Sequence, residues 1–314
     1  IKKLESNGKD IIHFEIGDPD FDTPKNISDA TIDALKNGNT HYVSSFGLVE
    51  LRQKIREYIE KSRGFKPTLE QVLVTPGANI VIFYAINCLV DPGEEIIFPD
   101  PGFPTYSAAV KMCNASPVRI PLLESNEFRM NPDDIEKSIT KKTKMVIINS
   151  PQNPTGSVMT NDEIKATYEI AEKHDLFLYS DEIYSKLIYD NNKYSSPSIF
   201  DKCKDRTILA DGFSKAYAMT GWRLGSVVGP SDIIEKMQLL LETTSSCVPP
   251  FIQKAGIEAI DGDQTFHEYM HNEYRKRRDL IVRELNSIES INCVMPGGAF
   301  YVFINIKKTN MTSE

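Results

Sequence analysis

MVIINSPQNPTGSVMTNDEIKATYEIAEKHDLFLYSDEIY, residues 145–184, is the stretch whose reading decides the fold. Met145–Asn149 and Leu176–Ser180 are short apolar runs bounded by turn residues, the pattern of buried strands. Between them, Asn161–His174 carries the spacing of an amphipathic helix. Strand, helix and strand in this order make one βαβ unit, whose two strands run parallel.

The same alternation extends in both directions. Val72–Thr75, Glu95–Phe98, Thr207–Ala210 and Gly225–Val228 read as further buried strands. Val49–Ser62, Asn79–Leu89, Thr105–Met112 and Ser231–Thr243 read as helices. Asn131–Ser138 is a shorter one, with Pro132 at a favoured first position. The expectation is an α/β protein with a mostly parallel central sheet and helices on both faces. A long charged helical pattern then runs from Gln264 to Ile288, and a strand-like block, Ala299–Ile306, follows the turn Pro296-Gly297-Gly298. A length of 314 residues at ~150 per domain suggests about two domains. We expect a large domain over residues 24–262. Residues 1–23 and 263–314 should form an N-terminal segment, a linker helix and a small α/β domain that is incomplete at its C-terminal end.

Composition narrows the function. Hydrophobic residues at 40% and charged residues at 25% exclude a disordered or fibrous chain. A net charge of −8 argues against nucleic acid or anionic membrane as partner, since both select positive fields. The most apolar run, Ile80 to Val90, is well short of the ~20 residues that a membrane span needs. Cys88, Cys113, Cys203, Cys247 and Cys293 are scattered without a C-x-x-C pair, so free thiols in a cytoplasmic protein are expected rather than disulfides or a metal cage. The N-terminal IKKLESNGKD has no apolar core of the signal-peptide kind.

The chemistry concentrates in DGFSKAYAMTGWRLG, Asp211–Gly225. Lys215 follows a strand end and a turn of small residues, and Arg223 lies a short way beyond. Ligands of open α/β sheets bind beyond the carboxyl ends of strands. A lysine in an apolar turn at that place is a candidate for a desolvated, imine-forming amine. Asp181, directly after the run Leu176–Ser180, is either a carboxylate aimed at a ligand or a loop Asp capping a turn. Read alone, Asn153-Pro154-Thr155-Gly156 is a turn, Phe103 an ordinary core residue and Tyr42 a surface tyrosine. Gly77-Ala78-Asn79 stands where a strand gives way to a helix, a place where backbone amides accept an anion.

The lysine segment resembles the signature of the class I aminotransferases, pyridoxal-phosphate enzymes of the aspartate aminotransferase fold (fold type I). IGDPDFDTP (Ile16–Pro24), HYVSSFGLVELR (His41–Arg52), VTPGAN (Val74–Asn79), PDPGFPTY (Pro99–Tyr106), NSPQNPTG (Asn149–Gly156), SDEIY (Ser180–Tyr184) and PGGAFYVF (Pro296–Phe303) are similar to other family segments, in the family's order. The resemblance implies pyridoxal 5′-phosphate held as a Schiff base on Lys215. It implies that Asp181 keeps the ring nitrogen protonated, that Asn153 and Tyr184 donate to the phenolic oxygen, and that Phe103 covers the ring face. Gly77, Ala78, Asn79, Ser214 and Arg223 would hold the phosphate, joined by Tyr42 of the partner subunit in a homodimer. Gly212 stands where the family often has a phosphate-binding Ser. Gly17 matches a backbone position in the substrate pocket, and the family's carboxylate-binding arginine has no match before Glu314. The implied activity is ping-pong transfer of an amino group between an amino acid and a 2-oxo acid, of the aspartate and aromatic branch. The alternatives are a carbon–sulfur lyase of the same fold and a non-catalytic pyridoxal-phosphate-binding regulator. A dinucleotide-binding reading lacks any G-x-G-x-x-G.

Overall fold

The computed structural model describes residues 2–14 and 16–312. Ile1, Glu15, Ser313 and Glu314, which the expected small domain includes, lie outside them. Helices α1 (Lys2–Ser6), α2 (Lys25–Lys36) and α3 (Val49–Arg63) lead into β1 (Val72–Thr75), α4 (Val81–Leu89), β2 (Glu95–Asp100), α5 (Pro104–Met112) and β3 (Ser116–Pro121). Next come α6 (Pro132–Lys137), β4 (Thr143–Asn149), α7 (Asn161–Lys173), β5 (Phe177–Asp181), α8 (Ser198–Asp201), β6 (Thr207–Gly212) and β7 (Gly225–Val228). The chain continues through α9 (Ser231–Ser245), α10 (Pro250–Asp261), α11 (Thr265–Asn286), β8 (Asn292–Cys293) and β9 (Ile304–Asn305).

Seven strands form one sheet in the order β1-β7-β6-β5-β4-β2-β3. β2 through β6 pair in parallel, and β7 runs antiparallel to both β6 and β1. The expected mostly parallel sheet is therefore present. Strand β4 explains why helices cover both faces. Met145 and Ile147 enter one buried cluster with residues of α4 and α9. Val146 and Ile148, pointing the other way, pack with Ile164 and Ala171 of α7. Side chains alternate across a strand, so an unbroken apolar run needs cover on both sides. Helix α7 starts where Thr160 accepts from the Glu163 amide and the Glu163 carboxylate accepts from the Thr160 amide. This reciprocal cap satisfies two amides that the helix itself cannot.

Several expected boundaries shift. The strand placed at Leu176–Ser180 is Phe177–Asp181, which makes Asp181 its last residue. Asn79 lies in a single 3₁₀ turn, Ala78–Ile80, and the α-helix begins at Val81. The strand expected over Ala299–Ile306 is reduced to Ile304–Asn305, paired with β8. The preceding residues instead fold back on the loop that follows β5, where the Ala299 amide donates to the Leu187 carbonyl at 2.8 Å. Helix α2, which packs on α10, helix α10, which packs on α2 and α3, and edge strand β3 were not expected from the sequence. Among the described residues no helix is long and apolar enough to cross a membrane.

Candidate active site

The registers of β4, β5 and β6 bring Asn149 beside Asp181 and Asp181 beside Ala210, so β4 and β5 end side by side and β6 runs two residues further, to Gly212. A cavity of about 700 Å³ opens at these carboxyl ends. Strand ends suit such a site because side chains there face the cavity while their backbone stays in the ladder.

Asp181 lies on the cavity wall, where its Oδ2 accepts a 2.7 Å bond from the Tyr106 hydroxyl. Burial raises the Asp181 carboxyl above its ordinary value, while the Tyr106 hydroxyl and the Ile183 amide pull it back towards the ionised form. Asn149 ties two parts of the site together. Its Nδ2 donates to the Asp181 carbonyl, and its Oδ1 accepts from the Asn153 amide at 2.8 Å. The turn at Asn153 is thereby fixed to the end of β4. Asn153 Nδ2 donates to the Tyr301 hydroxyl at 3.3 Å, and the Tyr184 and Tyr301 hydroxyls share a bond of 2.5 Å. Burial is the main reason that the Tyr184 phenol is held well above its usual value, so it stays a neutral donor.

Lys215 extends into the same cavity and donates to the Gly17 carbonyl at 2.5 Å. Its ammonium is lowered from the ordinary lysine value, chiefly by burial; Asp18 opposes the shift and Arg223 adds to it. A lowered lysine is closer to the free amine that nucleophilic chemistry requires. The segment carrying Gly17 is pinned over the lysine turn. Thr220 donates to Asp18 at 2.8 Å, and the Trp222 indole donates to Thr23 at 3.0 Å.

Another part of the cavity wall is built for close backbone approach. Gly77 has φ +86°, and a Cβ there would run into the Arg223 guanidinium. A Cβ on Gly225 would strike the Ala78 amide nitrogen. Ala78, Asn79, Ser214 and Arg223 all line the cavity, and Gly77 lies behind them beneath Arg223. Phe103 forms part of the wall, edge-on to Tyr106 with ring centroids 5.7 Å apart. The structure thus brings together Gly17, Gly77, Ala78, Asn79, Phe103, Asn153, Asp181, Tyr184, Ser214, Lys215 and Arg223. Tyr42 is not among the cavity's lining residues; the residue is 86% exposed.

Sequence reading missed three contributors. Tyr106 and Tyr301 lie within PDPGFPTY and PGGAFYVF, segments already singled out, but their partners come from β5 and from residues far along the chain. Asn149 reads as the last residue of an apolar strand, and nothing local signals that both ends of its amide are used.

Residues 9–313 match the family model described as aminotransferase class I and II. The chain is 42% identical over 311 residues to an aspartate aminotransferase of Pyrococcus horikoshii, a match spanning 98% of this chain and 79% of that one. It is 39% identical to aromatic-amino-acid aminotransferase 2 of Thermococcus litoralis, over 97% of this chain and 79% of the relative. The crystal structure of the aspartate aminotransferase from Rhizobium meliloti superposes with a TM-score of 0.94 at 35% identity, covering 97% of this chain and 77% of that one. The fold is that of aminotransferases. The chain belongs to the class I and II aminotransferases.

Proposed function

We propose that this aminotransferase holds pyridoxal 5′-phosphate through Lys215 and exchanges amino groups between an aspartate-like or aromatic amino acid and a 2-oxo acid. The observation carrying this reading is a partly buried lysine that shares one cavity of about 700 Å³ with a strand-end carboxylate and a tyrosine. The donor set fits the cofactor's chemistry. A cradle that a Cβ on Gly77 would fill suits a phosphate brought against backbone, and the Arg223 guanidinium beside it supplies fixed positive charge. When bound, pyridoxal phosphate supplies an aldehyde that captures amines and a ring that takes up the charge left on the substrate Cα.

In this reading Lys215 Nζ would hold the aldehyde and, as a free amine, would move the proton at the substrate Cα. Asp181 keeps a proton on the ring nitrogen. Asn153 Nδ2 and the Tyr184 hydroxyl orient the phenolic oxygen, and Phe103 covers the ring. Gly77, Ala78, Asn79, Ser214 and Arg223 hold the phosphate, and the Gly17 backbone borders the substrate. The exposure of Tyr42, outside its own chain's cavity, supports a homodimer in which Tyr42 of the partner subunit completes the phosphate site. The domain division at residues 24–262 against 1–23 and 263–314 is part of the proposal. It is supported by a seven-stranded sheet contained within residues 72–228 and a separate pair, β8-β9, within 292–305. A cytoplasmic location rests on the five free thiols, which oxidising compartments disfavour.

The test is to supply the protein with pyridoxal phosphate and an aspartate or aromatic donor, and to follow the donor's nitrogen. Its appearance on an added 2-oxo acid supports the reading. Release as ammonia without an acceptor contradicts it and favours a lyase.

A further inference from the structure

Next to the active-site turns lies a partly buried lysine that the chemistry above does not use. Lys186 sits in a tight turn closed by bonds from the Ser185 amide to the Glu182 carbonyl and from the Leu187 amide to the Tyr184 carbonyl. Tyr217 sits in a second turn, closed from the Tyr217 amide to Phe213 and from the Met219 amide to Ser214. The Lys186 ammonium donates to the Tyr217 hydroxyl. It also lies 4.2 Å from the Tyr217 ring centroid and 4.7 Å from that of Tyr58 on α3, between two aromatic faces.

The neighbours define what this group can do. Asp211 of β6 and Arg63 of α3 act on Lys186 from the sheet side, and Arg63 is itself paired with Glu182 at 2.6 Å and Asp211 at 3.2 Å. His267 of α11 faces Tyr217 at 6.4 Å between ring centroids. The adjoining cavity, bordered by Tyr58, Lys186, Asp211 and Tyr217, is about 30 Å³, room for a water and no organic ligand. Burial pushes the Lys186 ammonium down to about 8. A charge kept in such a place at a desolvation cost must act through what it touches.

It touches both turns of the active site. Tyr184 is two residues before Lys186, and Lys215 is two residues before Tyr217. We infer that Lys186 is a positioning residue which, through Tyr217, fixes the spacing between the Tyr184 hydroxyl and Lys215 Nζ, and so sets the pH at which the bound cofactor changes its protonation. The inference rests on the function proposed above. Loosening the contact lets Tyr184 drift from the phenolic oxygen, and a weaker donor there makes the cofactor's nitrogen hold its proton to higher pH.

The experiment is a pH titration of cofactor absorbance in the holoenzyme, for the unmodified protein, Lys186→Met, Tyr217→Phe and the double variant. Tyr217→Phe removes a single oxygen, so it reports even where Lys186→Met folds poorly. The expected result is an upward shift of the midpoint by roughly half a pH unit or more, about threefold in the proton equilibrium, in each single variant. The double variant should shift no further than the larger single one, because one contact is being removed. A midpoint that stays put while the variants melt at lower temperature would overturn the inference and leave Lys186 a packing residue. Unmodified protein that shows no cofactor absorbance at any pH would instead overturn the proposed function, and this inference with it.

Discussion

Replacing Tyr106 by Phe keeps the ring and removes one oxygen, the donor of the 2.7 Å bond to Asp181 Oδ2. Tyr106 is only 1% exposed, so its packing in the core should survive the change while water is poorly placed to take over the bond. The Ile183 amide remains on the other carboxylate oxygen, at a long 3.3 Å. A hydrogen bond to a charged group contributes about 1.5–3 kcal/mol, and here the charged group already carries a burial penalty. Its loss should therefore reduce the ionised fraction of Asp181 about ten- to a hundredfold wherever protonation competes. The sign follows from the acid. Burial has raised the carboxyl, removing the donor raises it further, and the acid limb of the kcat profile moves to higher pH. The assay is kcat against pH for both proteins, with thermal unfolding to confirm that the variant keeps its fold. A variant with an unshifted acid limb and undiminished kcat would refute the coupling of Tyr106 to Asp181.

Two further outcomes follow from the same geometry. Gly77→Ala forces a side chain into left-handed backbone and against the Arg223 guanidinium, with strain of about 1–3 kcal/mol, and should weaken cofactor binding roughly five- to 150-fold in a spectral titration; unchanged affinity would remove Gly77 from the cradle. Burial lowers His267 to about 4, so its contribution to stability is present above pH ~6.5 and is lost as pH falls towards 4, up to about 3 kcal/mol. His267→Phe should flatten that part of the denaturation profile, and an identical acid-side slope would show that His267 does not carry it.

How far the sequence could be read depended on whether a signal was local. The β4–α7–β5 unit was plain because Met145–Ile148 and Leu178–Ser180 are buried on both faces and the Thr160 cap lies next to its helix. β3 was hidden because it is an edge strand with two prolines and exposed alternate residues, which dilutes the apolar pattern. Helix α2 buries only Ile27 and Ala34 among polar neighbours, and α10 is recognisable mainly through what it packs on. The antiparallel direction of β7 was in principle readable. The twelve residues between it and β6, 213–224, hold only short turns and no α-helix of the kind that usually makes a parallel crossover. At the site, residues in contiguous motifs were found, whereas Tyr301 and Asn149 act through partners that only the fold brings near.

The central claim is that Lys215 is the amine that captures the cofactor. Reducing the pyridoxal-phosphate-loaded protein with borohydride and mapping the modified peptide by mass tests it most directly. The account predicts one stoichiometric adduct on the peptide containing Lys215, absent from Lys215→Ala. A stoichiometric adduct on another lysine, or one that persists in Lys215→Ala, would contradict it.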